Sequence, residues 1–296
     1  MTRRLAVAAI QTRHGRDPAA NVARVLELAE EAADAGAKLI LPSELFETIY
    51  FPKAVDPEKR ALARPLRDHP TIARFQAFAA RREVVVPVSF YERAGDALYN
   101  AVAVIDADGT VLGVYRKCHI PDSEGYREAA YFDPSPDGPQ VWRTRYLTLG
   151  VGVCWDQWFP ELARAMALMG AELIVYPTAI GSEPLYPDWD TEDQWRRAML
   201  GHAATNLVPV LAANRVGSET EGLTRLDFYG GSFCADHLAA VVARAPRDEE
   251  AVLLATLDLA AAAEARSFWG VFQTRRPDLY GALVDTPAGP PPAPAL

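Results

Sequence analysis

Cys154 ends the run Leu147-Thr148-Leu149-Gly150-Val151-Gly152-Val153-Cys154, and a thiol at the end of a strand is a candidate nucleophile. Only the thiolate attacks, and a free cysteine has a pKa of roughly 8.5. A cation nearby and a helix N-terminus, for which Pro160 suits the first turn, would each lower it. Two other reactive side chains occupy comparable places: Glu44 follows the strand Lys38–Leu41, and Lys117 follows the strand Thr110–Tyr115. In open α/β sheets, active sites gather beyond the carboxyl ends of strands. A carboxylate, an ammonium and a thiol are thus three chemically useful groups at such positions. Singly, none is specific: an acid after a strand is commonly a solvated loop residue, a lone lysine lies on the surface, and a lone cysteine is inert core. Alternation adds weight to Cys154, because Thr148, Gly150, Gly152 and Cys154 would share a nearly bare face that another backbone or a substrate can approach.

Histidines offer a competing assignment. His119 is two residues from Lys117, and His202 lies on a helix, so a Cys–His pair is conceivable; the reading adopted for both is structural. Cys118, Cys154 and Cys234 show no metal-type spacing, and three cysteines fit reduced thiols in a cytoplasmic protein. No Gly-rich phosphate loop or Cys/His ligand cluster is present, so no metal and no cofactor are expected. The net charge of −9 gives no electrostatic footprint for nucleic acid. Half of the 296 residues are hydrophobic, enough for one large core, yet no stretch approaches a membrane span. The apolar run after Arg3-Arg4 is too short for a signal peptide and reads as a strand, Leu5–Ile10.

The elements that must hold these residues alternate. Helical spacing runs from Asn21 to Ala35 with Gly36 as the cap, and a second helix covers Pro70–Arg82. Strands are expected at Val84–Val88, Leu98–Ile105 and Thr110–Tyr115, the last two joined at Asp106-Ala107-Asp108-Gly109. A long irregular segment, Cys118–Pro139, reads as functional. Beyond it come the strand Leu147–Val153, helix Pro160–Met169, strand Glu172–Tyr176, a loop to Asp190, helix Glu192–Asn206, and strands at Val208–Ala213, Tyr229–Cys234 and Val252–Leu257. This is an α/β pattern with a mixed sheet in a single domain, 1–285, followed by a Pro/Ala-rich flexible tail, 286–296.

The segments Leu41-Pro42-Ser43-Glu44-Leu45-Phe46-Glu47, Tyr115-Arg116-Lys117-Cys118-His119-Ile120-Pro121 and Gly150-Val151-Gly152-Val153-Cys154-Trp155-Asp156 resemble, in order, the three catalytic motifs of the nitrilase superfamily of carbon-nitrogen hydrolases. The similarity covers nearly the whole chain. Around Cys154–Glu161, Tyr176–Pro184 and Gly201–Val210 it is similar to the N-carbamoylputrescine amidase branch. The resemblance implies an α-β-β-α sandwich that pairs with a second copy as a homodimer or higher homo-oligomer. It implies Cys154 as nucleophile, Lys117 with the backbone N–H of Trp155 as oxyanion clamp, and Glu44 as general base. A second glutamate near the lysine is implied at Glu128, with Glu124 as the alternative. The sequence departs from the family pattern at Glu124-Gly125, where Pro-Gly is usual, at Ala129, where lysine is usual, and at Ser43 and Pro52-Lys53.

The implied substrate is a small cationic ureido compound, hydrolysed to putrescine, ammonia and carbon dioxide. The loop Pro177–Asp190 contains Glu183, Asp188 and Asp190 and no basic residue, which suits a cation, with Glu183 and Asp188 as its receivers. Tyr50, Phe51, Tyr126 and Trp155 are candidates to wall a four-carbon chain, and aromatic faces attract ammonium. The alternatives are 3-ureidopropionase, ω-amidase or aliphatic nitrilase activity, or a catalytically silent binding protein of the same fold.

Overall fold

The computed structural model describes residues 3–285 and Gly289. The tail assigned to 286–296 lies outside the described residues, apart from that glycine. Along the chain run β1 (Arg4–Gln11), β2 (Leu39–Leu41), β3 (Val86–Ala94), β4 (Ala97–Ile105) and β5 (Val111–Arg116), then the short hairpin β6 (Asp122–Ser123) and β7 (Tyr126–Arg127). The second half supplies β8 (Val141–Arg143), β9 (Thr148–Val151), β10 (Leu173–Pro177), β11 (Val210–Ala213), β12 (Val216–Glu221), β13 (Thr224–Tyr229), β14 (Phe233–Ala235), β15 (Val241–Arg244) and β16 (Ala251–Asp258). The principal helices are α1 (Pro18–Asp34), α2 (Pro70–Arg82), α3 (Pro160–Leu168), α4 (Glu192–Asn206) and α5 (Leu259–Trp269).

Two sheets result. In one, β16-β1-β2 and β3-β4-β5 run on from each other, because Ile40 N donates to Val85 O at 3.0 Å and Val85 N to Lys38 O at 2.9 Å. The other has the order β15-β14-β11-β10-β9-β8. Both are mixed: β1–β2, β9–β10 and β10–β11 are parallel, and the hairpins are antiparallel.

The period-two alternation of the strands explains the layers. Leu5, Val7 and Ala9 of β1 enter a core shared with Leu149 and Val151 of β9, Leu173 and Val175 of β10 and Leu211 of β11. Ala8 and Ile10 point the other way, against Val22, Val25 and Leu28 of α1 and Phe75 and Phe78 of α2. Ile174 and Tyr176 of β10 likewise face Leu162 and Met166 of α3 and Trp195 and Met199 of α4. The order helix, sheet, sheet, helix is therefore written in which residues alternate along each central strand. This is the expected α-β-β-α sandwich.

Several boundaries differ from the sequence reading, each for a local reason. Helix α1 begins at Pro18, earlier than Asn21, because the Asp17 side chain accepts from Ala19 N at 2.9 Å and Pro18 fits the first turn. Strand β3 continues to Ala94, since its polar residues Ser89 and Glu92 are buried and do not end it. The expected strand Tyr229–Cys234 is two strands, broken where Gly230 and Gly231 take φ of +55° and +68°. Strands β6, β7, β8, β12 and β15 were not anticipated, the first two lying within the segment 118–139 read as irregular.

The bare face of β9 also has another use. A Cβ on Gly150 would lie 3.0 Å from the Met166 sulfur, and one on Gly152 would lie 2.7 Å from the Tyr176 ring. These glycines admit helix α3 and a neighbouring strand, not a substrate. Cys154 does not share their face either, because the chain stays extended to Val153 and turns at the cysteine itself, which packs with Leu149, Val151 and Val153.

Candidate active site

Three of the four expected catalytic side chains form one buried ionic cluster. Lys117 Nζ donates to Glu44 Oε1 at 3.0 Å and to Glu128 Oε1 and Oε2 at 2.8 and 2.7 Å. All three side chains are inaccessible to solvent. Such burial is tolerable only because opposite charges are in direct contact and further donors satisfy the carboxylates. Asn100 Nδ2 donates to Glu44 Oε1 at 2.6 Å, and the Tyr50 hydroxyl donates to Glu128 Oε1 at 2.6 Å. Glu44 Oε2 is buried and has no partner among the described residues, so it is the one carboxylate oxygen of the cluster free to take a proton. The alternative second glutamate, Glu124, instead pairs with Arg127 at 2.9 Å on the surface, which leaves Glu128 as the lysine's partner.

Strand ends place the groups as anticipated. Glu44 follows β2 in a turn where Leu45 adopts φ of +47°, and Lys117 follows β5, its N–H bonded to Asn100 O at 2.9 Å. Asn100 thus touches Glu44 through its side chain and fixes the lysine through its backbone. A fully buried Asn in the middle of an apolar strand, Leu98-Tyr99-Asn100-Ala101-Val102, was the available signal, and the sequence reading did not use it. Asp156 was also missed. Its buried carboxylate accepts from Val153 N at 2.9 Å, the Tyr115 hydroxyl at 2.7 Å and His119 N at 3.0 Å. It thereby ties the turn at the cysteine to the segment that carries Lys117.

Cys154 sits 4% exposed with φ of +42°, a left-handed conformation that costs a non-glycine residue on the order of 1 kcal/mol or more. Its Sγ lies 3.8 Å from Ala179 O. Burial drives the thiol pKa well above its usual value; Glu44 adds to the rise, and Lys117 opposes it without prevailing. The expectation of a thiol acidified by a cation is therefore corrected: the resting group is a protonated thiol, and it needs a base. Burial also raises Glu128 to about 6, against the pull of Lys117. Lys117 loses stability as a cation through burial but gains more from Glu128 and Glu44, so its pKa is raised and it stays charged.

The histidines are structural. His119 Nδ1 contacts Asp156 Oδ1 at 2.7 Å, and its ring stacks on Phe159. His202 Nδ1 meets the Tyr176 hydroxyl at 3.1 Å, and burial lowers its pKa to about 4.

A cavity of about 290 Å³ opens onto Cys154 and Glu128. Its walls include Tyr126, Trp155, Trp158, Tyr186 and Trp189, with Ser123, Glu183, Thr191 and Gln194 among its polar members. Tyr126, Trp155 and Glu183 are thus where the sequence reading put them. Tyr50 is not on the wall; it is buried behind the site with its hydroxyl on Glu128. Phe51 packs at 5.4 Å against Tyr91 and at 5.0 Å against Tyr131. Asp188 lines a separate outer cleft with Asp190 and Arg247, because the loop turns outward after Pro187. Trp158, Tyr186 and Trp189 were missed; an aromatic-rich loop beside an acidic residue was the signal.

Glu183 is half-buried, burial raises its pKa, and its carboxylate makes no hydrogen bond or ion pair among the described residues. No arginine or lysine lines the cavity. Among the described residues, no group of three His, Cys, Asp or Glu side chains is placed to hold a metal ion, and no helix is long and apolar enough to cross a membrane.

Comparison with known proteins agrees with this arrangement. The chain is 50% identical over 286 residues to an N-carbamoylputrescine amidase of Arabidopsis thaliana, covering 95% of this chain and 96% of that protein. It is 46% identical over 278 residues to a citrullinase of Francisella tularensis, covering 94% and 97% of the two chains. A crystal structure of a carbon-nitrogen hydrolase from Helicobacter pylori superposes with a TM-score of 0.90 at 32% identity, covering 96% of this chain and 100% of that one. The carbon-nitrogen hydrolase family model matches residues 6–267. With the family's sandwich fold around a buried Glu–Lys–Glu cluster and a turn-borne cysteine, the chain belongs to the carbon-nitrogen hydrolase family, the nitrilase superfamily, and is a hydrolase of linear amides.

Proposed function

We propose that this hydrolase is an N-carbamoylputrescine amidase, releasing putrescine, ammonia and carbon dioxide as a step of polyamine synthesis. The observation that carries the reading is Glu183, a carboxylate without a protein partner in an aromatic cavity that ends at Cys154. A cation at the far end of a ureido substrate would neutralise it, and aromatic faces favour the same charge. Citrulline is the competing substrate, since one relative is named a citrullinase. Its α-carboxylate would need a cationic partner, and the cavity lining supplies none.

In this reading Cys154 Sγ attacks the ureido carbon while Glu44 Oε2 takes the thiol proton. Lys117 and the Trp155 backbone N–H stabilise the oxyanion. The tetrahedral adduct collapses as Glu44 returns the proton to the departing ammonia, leaving an N-alkylcarbamoyl thioester. Glu44 then accepts a proton from water as it attacks, and the thiol is restored as the alkylcarbamate leaves. The carbamate loses carbon dioxide to give the amine. Glu128 holds Lys117 in place and charged throughout. The four groups act as one coupled set.

Ammonia release from N-carbamoylputrescine, citrulline, 3-ureidopropionate, an ω-amide acid and an aliphatic nitrile decides among the readings. The first should show the highest kcat/KM. A tenfold lead for any other compound would replace this assignment, and no release from any would mark a silent protein. The three free thiols support a reducing, cytoplasmic setting. Exposed Phe268, Trp269, Leu283 and Val284 near the C-terminus support a homodimer or higher homo-oligomer, which sedimentation velocity would test.

A further inference from the structure

Arg215 carries a charge with no exposure to water, two residues beyond the end of β11. A buried guanidinium is costly unless its donors are used; Nε has no partner among the described residues, and the acceptors of both Nη groups are specific. Nη2 donates to the backbone carbonyls of Glu44 at 2.7 Å and Leu45 at 3.1 Å, and Nη1 donates to Glu219 Oε1 at 2.7 Å. The other oxygen of Glu219 accepts from Tyr50 N at 2.6 Å and Lys53 Nζ at 3.2 Å. One ion pair therefore grips the backbone of Glu44, whose carboxylate touches Lys117, and the backbone of Tyr50, whose hydroxyl touches Glu128.

The grip falls where the chain would otherwise relax. Leu45 holds φ of +47°, which an L-residue adopts only under constraint. Its N–H is tied to Ser89 Oγ at 2.9 Å from one side, and its carbonyl to Arg215 from the other. Relaxation of this turn would swing the Glu44 carboxylate, and displacement of a catalytic group by about 1 Å can cost on the order of a hundredfold in rate.

We propose that Arg215, held by Glu219, is a positioning residue: it sets the strained turn that aims Glu44 at Cys154 and, through Tyr50, steadies Glu128 on Lys117. The idea rests on the cysteine-hydrolase reading of the site but not on the identity of the substrate. Two variants test it. Arg215→Met/Glu219→Gln removes one charge of each sign, so the buried cluster with Lys53 keeps its net charge, and the new amide oxygen can still accept from Tyr50 N. Arg215→Lys keeps the charge but cannot span two carbonyls and Glu219 together.

Each variant that melts within about 5 °C of wild type should lose at least thirtyfold in kcat with KM changed less than threefold. Independently of any substrate, alkylation of Cys154 by iodoacetamide at neutral pH should slow at least fivefold, because its base is misaimed. A folded variant with kcat within threefold of wild type and unchanged alkylation overturns the proposal. Failure of both variants to fold would show a structural pair and also overturn it. If wild type releases no ammonia from any amide while Cys154 alkylation still slows in the variants, the positioning role stands and the hydrolase reading falls.

Discussion

Replacing Glu183 by glutamine isolates the charge that the cavity offers its substrate. The carboxylate is half-buried and unpaired, so a bound ammonium would be its first cationic partner. Two unit charges about 4 Å apart attract by about 4 kcal/mol at an effective dielectric of about 20. Half-exposure screens that to about 2 kcal/mol, equivalent to about thirtyfold in kcat/KM. The glutamine side chain keeps the size and a hydrogen-bonding oxygen, so only charge is lost. The assay is ammonia release from N-carbamoylputrescine and from N-butylurea, which has the same ureido group and four carbons but no ammonium. Wild type should prefer the charged compound. The variant should lose about thirtyfold on it and less than threefold on the neutral one, and the difference should shrink at high salt. Equal losses on both compounds would mean that Glu183 shapes its loop and does not read charge. No loss on either would leave the cavity's aromatic walls as the only recognition of the far end.

Glu44→Gln and Lys117→Ala should each lower kcat by at least a hundredfold, and the double variant should lose far less than the product, as groups acting together do; near-native turnover in Glu44→Gln would remove it as the base. Glu128 is raised to about 6, so its carboxylate, and with it the full grip on Lys117, is present above that pH and lost below; kcat should fall as pH drops through about 6, and Glu128→Gln should abolish that limb while lowering the plateau. Burial depresses His69 to about 4, and neither ring nitrogen has a hydrogen-bond partner among the described residues. A depressed histidine stabilises the fold above its unfolded pKa of about 6.5, and the contribution is lost as pH falls toward 4. His69→Phe, which can keep the edge-on packing against Phe90, should therefore reduce the loss of unfolding free energy between pH 6.5 and 4 by about 3 kcal/mol, read by urea denaturation.

Glu44, Lys117 and Cys154 were legible because each follows a strand and lies in a motif whose order is informative. The layering was legible for a related reason: alternation along β1 and β10 states which side of each strand is buried. What stayed hidden depends on contacts between distant segments. Asn100 reads as one polar residue in an apolar strand until β4 is placed beside Glu44, 56 residues away in sequence. Arg215 is 171 residues from the carbonyl it holds. Tyr50 and Asp188 were misplaced because a residue's position in a loop does not say which way the side chain faces; one turned inward onto Glu128 and the other outward. The state of the thiol was also beyond the sequence, since burial and two carboxylates outweigh the one lysine.

If Cys154 is the nucleophile, Cys154→Ala abolishes ammonia release. The substitution removes one sulfur from the inner end of the cavity and keeps the left-handed turn, which Asp156 holds through Val153 N. With a melting temperature close to wild type, the variant should release no ammonia above the uncatalysed background from any substrate that wild type hydrolyses. Release within a hundredfold of the wild-type rate by the folded variant would contradict the account, because the Glu44–Lys117–Glu128 cluster would then be activating water without the thiol.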